Sequence, residues 1–121
     1  MPSHDDSWLI DILVAARAVR RFVRRFPDAA ALDADEVHRS AVIHQLLIIG
    51  EAAKHVSDEF RAVHPEIPLR KMGGMRDVLI HAYQDVDMVL VWRTATTAIP
   101  ELIARLEPLL PLAGEEPEAS E

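Results

Sequence analysis

The chain contains no cysteine, which excludes a disulfide framework, a thiolate zinc site and a thiol nucleophile and favours a reducing compartment. Glycine is scarce, with four among 121 residues, and no β-branched alternating run bounded by turn residues is present, so tight hairpins and strands are not expected. No uninterrupted apolar run reaches the roughly 18 residues of a membrane span. The opening Met1-Pro2-Ser3-His4-Asp5-Asp6 lacks the basic and apolar segments of a secretion signal, so the expected location is the cytoplasm, with no membrane partner. Phosphate-cradling and nucleophile-elbow patterns are missing too: there is no Gly-x-x-x-x-Gly-Lys-Ser/Thr, no Gly-x-Gly-x-x-Gly and no Gly-x-Ser-x-Gly, which rules out the hydrolases built on them.

What is there suits one globular domain, expected over residues 1–112, since half of the residues are hydrophobic and 27% are charged. The formal charge of -7 argues against wholesale, nonspecific nucleic-acid binding. Part of that acidity is local. Glu115, Glu116, Glu118 and Glu121 crowd the last seven residues, and the remainder of the chain nets only -3. Residues 113–121 have too little apolar surface to offset the entropy of ordering and are expected to form a disordered acidic tail.

Helical signals run through the rest. Leu9, Ile12, Leu13, Ala16, Val19, Val23 and Phe26 recur at three- and four-residue steps, predicting a first helix from Ser7 to Phe26 that Pro27 stops. A second, about 40 Å long, is predicted from Asp33 to Arg61, capped by Asp33 or Asp35, with Val37, Ala41, Ile48, Ala52 and Val56 inward. The stiff His64-Pro65-Glu66-Ile67-Pro68 connector follows. A third helix from Leu69 to Tyr83 carries Gly73-Gly74, each costing about 1 kcal/mol in propensity, which points to close packing or a hinge. A fourth starts at Asp85 or Asp87, carries Val89, Leu90, Trp92, Thr96 and Ile99, kinks at Pro100 and continues through Leu106. The expected fold is all-α, an antiparallel four-helix bundle whose third helix holds the richest chemistry.

That chemistry lies in Gly74-Met75-Arg76-Asp77-Val78-Leu79-Ile80-His81-Ala82-Tyr83. Arg76 and Tyr83 fall on one stripe, seven residues and nearly two turns apart. His81 is rotated about 140° from Arg76, so one helix does not aim both at a single atom except through arginine's reach or a second copy of the helix. A purely structural interpretation is available for each: a satisfied core imidazole for His81, a half-buried ring for Tyr83, and for Arg76 an ion pair with Asp77 or Glu51.

The spacing Arg-x4-His-x-Tyr does not stand alone. It is preceded by Ile49-Gly50-Glu51-Ala52-Ala53, entered through Ile67-Pro68-Leu69-Arg70-Lys71-Met72-Gly73-Gly74, and followed by Val86-Asp87-Met88-Val89-Leu90-Val91-Trp92 and Ile99-Pro100-Glu101-Leu102. In this order the landmarks resemble the HepT (DUF86) branch of the HEPN superfamily over nearly the whole chain. The resemblance implies a homodimeric ribonuclease toxin of a two-gene toxin-antitoxin system, working without metal or other cofactor, with the motif helices of two protomers lining one cleft. It implies that Arg76 clamps the scissile phosphate, His81 acts as general base or acid, Asp77 orients the site, and Glu51 holds Arg76 or His81. Tyr83 matches the tyrosine that the partner nucleotidyltransferase, the MNT antitoxin, modifies with AMP in relatives. Leu69 and Gln84 depart from the family pattern and bear on cleft shape rather than on the catalytic groups.

These roles are chemically sensible. Histidine as a residue type exchanges protons near neutral pH, and arginine's planar fork matches phosphate oxygens. The alternative is a non-catalytic helical interaction subunit of a nucleotidyltransferase complex. Two further features carry structural interpretations first. Glu51, His55 and Glu59 recur every four residues but lack the His-Glu-x-x-His and Glu-x-x-His patterns of metal sites, so a solvated face with ordinary contacts is expected. Arg17, Arg20, Arg21, Arg24 and Arg25 form a basic face on the first helix without interleaved aromatics. A balanced, solvated surface is therefore favoured over RNA binding.

Overall fold

A computed structural model of the chain describes residues 4–82 and 85–110, and among them all regular structure is helical. Four long segments carry the architecture: α1 (His4–Val23), α3 (Glu36–His55), α5 (Leu69–Ala82), and the run formed by α6 (Met88–Arg93) and α7 (Ile99–Leu106). Two one-turn helices, α2 (Ala29–Ala34) and α4 (Asp58–Val63), join them. The tail and Tyr83 lie outside the described residues.

The core forms where α1 packs on α3 and α7, and α3 in turn packs on α5. Leu9, Ile12, Val19, Leu32, Val42, Ile49, Val91, Ile99, Leu102, Ile103 and Leu106 are fully buried, each aliphatic side chain favouring the folded state by about 1.5–3 kcal/mol. Helices α1 and α3 run antiparallel. At one end Asp5 accepts from the Ser57 amide (2.8 Å) and hydroxyl (2.6 Å), and at the other Phe26 meets the His38 ring edge-on at 5.3 Å. Farther along, Arg17 of α1 pairs with Glu107 at 2.7 Å, tying the first helix to the end of α7.

Several predicted boundaries need correction. The long second helix is two helices. The Val56 amide closes on Ala53, and Val56 and Ser57 turn extended before α4 starts with the Ser57 hydroxyl accepting from Phe60. Its predicted start also splits, since Asp35 caps α3 by accepting from the His38 amide at 3.0 Å, while Asp33 belongs to α2. The inward stripe is met only in part: Ala52 and Val56 are buried as expected, but Val37 is 75% exposed, Ala41 and Ile48 are half-buried, and Val42, Leu46, Ile49 and Ala53 join the core. The physical reason is that α3 is covered by α1 on one side and α5 on another, so its apolar residues spread round the helix rather than marking one face. Farther along the chain Met88, Val91 and Ala95 face the core, and Val89 and Thr96 are exposed.

The distortion expected at Pro100 takes the form of a widened π turn over Thr94–Ala98. Proline offers no amide to the carbonyl four residues back and crowds it. Here Ile99 donates to Thr94, five residues back, and the hydroxyls of Thr94 and Thr96 bond the carbonyls of Leu90 (2.9 Å) and Trp92 (2.7 Å).

Candidate active site

The site is assembled at the crossing of α3 and α5, and its geometry begins with a missing side chain. A Cβ on Gly50 would stand 2.2 Å from Cβ of Arg76 and 2.8 Å from the Met72 carbonyl oxygen. Only glycine lets α5 approach there. One turn on, Gly73 receives the Lys54 stem, a Cβ there meeting Cγ of Lys54 at 3.2 Å, whereas Gly74 has nothing within 4 Å. The two helices are antiparallel, since Gly50 and Lys54 meet the first half of α5 while His44 and Leu47 line a groove with Ile80.

Close approach lays Arg76 against α3. Its Nη2 is 3.2 Å from Oε1 of Glu51, and its Nη1 donates to Oδ1 of Asp77 at 3.1 Å. Asp77 also accepts from Nζ of Lys54 at 2.5 Å. The Lys54 ammonium first, and then the Arg76 guanidinium, hold the Asp77 carboxyl below its usual range. The other oxygen of Glu51 meets Nε2 of His55 at 3.1 Å, and the His55 ring stacks on Trp8 with centroids 4.3 Å apart and planes 13° from parallel. Lys54, Asp77, Arg76, Glu51, His55 and Trp8 thus form one continuous chain of contacts across three helices.

The structural interpretation of Arg76 as an ion-pair partner of Asp77 and Glu51 is therefore realised, with both carboxylates at once. It leaves room for ligand binding. Guanidinium carries five N–H donors, the side chain is 30% exposed, and it borders an open groove of about 370 Å³ together with Trp8, Asp11, Glu51 and Ile80.

The structure brings Glu51, Arg76 and Asp77 together and leaves His81 apart. His81 is exposed near the end of α5, borders neither this groove nor its continuation, and makes no hydrogen bond or ion pair with the described residues. Tyr83 lies outside those residues. Glu59 sits on α4, beyond the break, so the stripe of Glu51, His55 and Glu59 does not exist as one helical face. Among the described residues no group of three or more His, Asp or Glu is placed to hold a metal ion. The basic face of α1 is engaged: Arg17 pairs with Glu107, and Arg20, Arg21 and Arg25 have partners of their own.

The Glu51–His55 contact is the ordinary one expected from their four-residue spacing, whereas Lys54, Trp8 and the stacking of His55 on Trp8 escaped sequence reasoning. The Trp8 contact arises only when α1 docks, and no local pattern announces it.

Comparison with known proteins gives the family. The family model described as HepT-like, Ribonuclease HepT-like, matches residues 12–109. The chain belongs to the HepT-like family. It is 43% identical over 109 residues to the "Probable ribonuclease HepT" of Thermococcus cleftensis, covering 88% of this chain and 96% of that protein. A "Putative RNase" of Methanocaldococcus jannaschii is 34% identical over 101 residues, covering 84% and 92%. Another of that printed name, from Caldanaerobacter subterraneus subsp. tengcongensis, is 41% identical over 76 residues, covering 63% and 68%. No solved structure matches the chain. Among the described residues, no helix of this HepT-like protein is long and apolar enough to cross a membrane.

Proposed function

We propose that this HepT-like protein is a metal-independent RNA endonuclease, the toxin of a HEPN/MNT toxin-antitoxin pair, and that it works as a homodimer of four-helix bundles. The observation that carries the proposal is the accessible guanidinium of Arg76, fixed by Glu51 and Asp77 beside an open groove, in a chain whose relatives bear the names of ribonucleases.

In this reading Arg76 binds the non-bridging oxygens of the scissile phosphate and stabilises the charge that builds on phosphorus. One His81 imidazole takes the ribose 2′-hydroxyl proton as the 2′ oxygen attacks phosphorus, and an imidazolium returns a proton to the departing 5′ oxygen. The products are a 2′,3′-cyclic phosphate and a 5′-hydroxyl. The separation of His81 from Arg76 within one protomer supports a composite cleft, to which two copies of α5 contribute both groups. Asp77 and Glu51 position Arg76. Addition of AMP to Tyr83 by the nucleotidyltransferase antitoxin would add bulk and negative charge to the motif and repel RNA.

The test is cleavage of RNA by the purified protein in EDTA. Cutting should fall at least 100-fold in Arg76→Ala and in His81→Ala with the circular dichroism unchanged, and should vanish when the 2′-hydroxyl at the cut is replaced by hydrogen. Retained cutting by either variant rejects the site. A folded protein that binds the nucleotidyltransferase yet never cuts RNA supports the interaction-subunit alternative. Intact mass after co-expression with the partner tests the modification, since added AMP should disappear in Tyr83→Phe.

A further inference from the structure

The groove beside Arg76 has a composition that phosphate binding does not explain. One wall is the indole of Trp8, half-buried in the first turns of α1 and stacked on the His55 ring. Asp11, one turn further along the same helix, is exposed and makes no hydrogen bond or ion pair with the described residues. The floor is apolar, from Leu47, Ile48 and Ile80. An aromatic platform, an unpaired acceptor, an apolar floor and a cation thus border one space of about 370 Å³. These are the elements that hold an unstacked base and its phosphate: π-stacking, an acceptor for amino or ring N–H groups, and a guanidinium.

We propose that this groove is a nucleobase subsite, in which a base flanking the cut stacks against the Trp8–His55 pair, Asp11 accepts from its N–H edge, and Arg76 holds the adjoining phosphate. The proposal rests on the ribonuclease reading for its substrate and assigns Trp8 and Asp11 to substrate binding rather than to bond breaking. The Glu51 carboxylate, shared by Arg76 and His55, couples the phosphate clamp to the stacking platform, so both are fixed before RNA arrives and little ordering is left to pay for on binding. The groove continues along the α3–α5 seam between the apolar side chains of Ile43, Leu79 and Val86 and the polar ones of Arg39, Ser40 and His44.

The protein has two tryptophans, so Trp92→Phe leaves Trp8 as the sole indole reporter. In that background AMP, CMP and a 2′-O-methyl hexanucleotide should quench the emission saturably, while ribose 5-phosphate, which has the phosphate without the base, should leave it unchanged. In the natural chain Trp8→Ala should raise KM for an oligoribonucleotide by about 5- to 100-fold with kcat changed far less, as expected for loss of one stacked base. Trp8→Phe should recover most of that loss. Asp11→Asn should shift the order of preference from CMP toward UMP, because an amide can donate where a carboxylate only accepts.

Equal quenching by ribose 5-phosphate, or an unchanged KM in both Trp8→Ala and Asp11→Asn, overturns the subsite. So does conversion of a dimer to a monomer by Trp8→Phe with KM preserved, which would make this wall a contact between copies. The two readings fail separately. Base-dependent quenching without any RNA cutting keeps the subsite and removes the ribonuclease, whereas cutting that ignores Trp8 and Asp11 does the reverse.

Discussion

At the scale of single residues, the three described glycines of the α3–α5 region separate by what surrounds them. Gly50→Ala drives a methyl group into Cβ of Arg76 and the Met72 carbonyl, neither of which can swing away, so the helices must part. A loss of about 1–3 kcal/mol is expected, together with a displaced Arg76 and impaired cutting. Gly74→Ala meets open space on a helix and should stabilise by about 0.5–1 kcal/mol. Thermal melts of the two variants should therefore move in opposite directions, a result that a generic intolerance of substitution in α5 would not produce. Asp77 gives a pH prediction. Its folded-state titration lies below the usual value of 3.8 because Lys54 and Arg76 hold the carboxylate. The stability it contributes is therefore complete above about pH 4 and is lost as pH falls through the lowered value. The melting difference between the natural protein and Asp77→Asn should stay level from pH 7 to about pH 4 and shrink below it; a difference that fades already between pH 7 and 5 would contradict the assignment.

Among the elements, the junction of α1 with the α3–α4 break holds the wall of the groove in place. Asp5 accepts from both the amide and the hydroxyl of Ser57, and that hydroxyl caps α4. Asp5→Ala removes a charged acceptor from both groups at once, and a loss of about 1–3 kcal/mol is expected by denaturant titration, with Trp8 emission altered because α1 carries it. Helix existence was legible from the sequence where one face alone is buried: every apolar position predicted inward for α1 from Leu9 to Val23 is buried. Helix α3 was legible as a helix but its inward residues only in part, Ala52 and Val56 but not Val37, because two neighbours cover it. Its termination at Val56 carries no proline or glycine signal. The tertiary bond from Asp5 to Ser57 and the capping hydroxyl sustain the turn, and both become visible only after folding. The candidate site followed the same division. Arg76, Asp77 and Glu51 were legible in the sequence and do meet, and the rotation of His81 away from Arg76 on one helix was legible too, whereas Trp8 and Lys54 depend on helix docking.

For the whole molecule, the proposed ribonuclease activity turns on charge and on the proposed pairing of two copies. A chain of net charge -7 whose α1 arginines are largely engaged with partners offers little general attraction for a polyanion, so in the proposed function recognition falls to the locally built clamp and groove. Within one protomer the guanidinium and the imidazole do not share that groove. The central claim is thus that two copies complete one cleft. Mixing tests it most directly: Arg76→Ala and His81→Ala chains, each inactive alone, are co-expressed with different tags, and the doubly tagged heterodimer is assayed on RNA in EDTA. Cutting restored well above either parent is the predicted result. A heterodimer that forms and stays as inactive as its parents would contradict it.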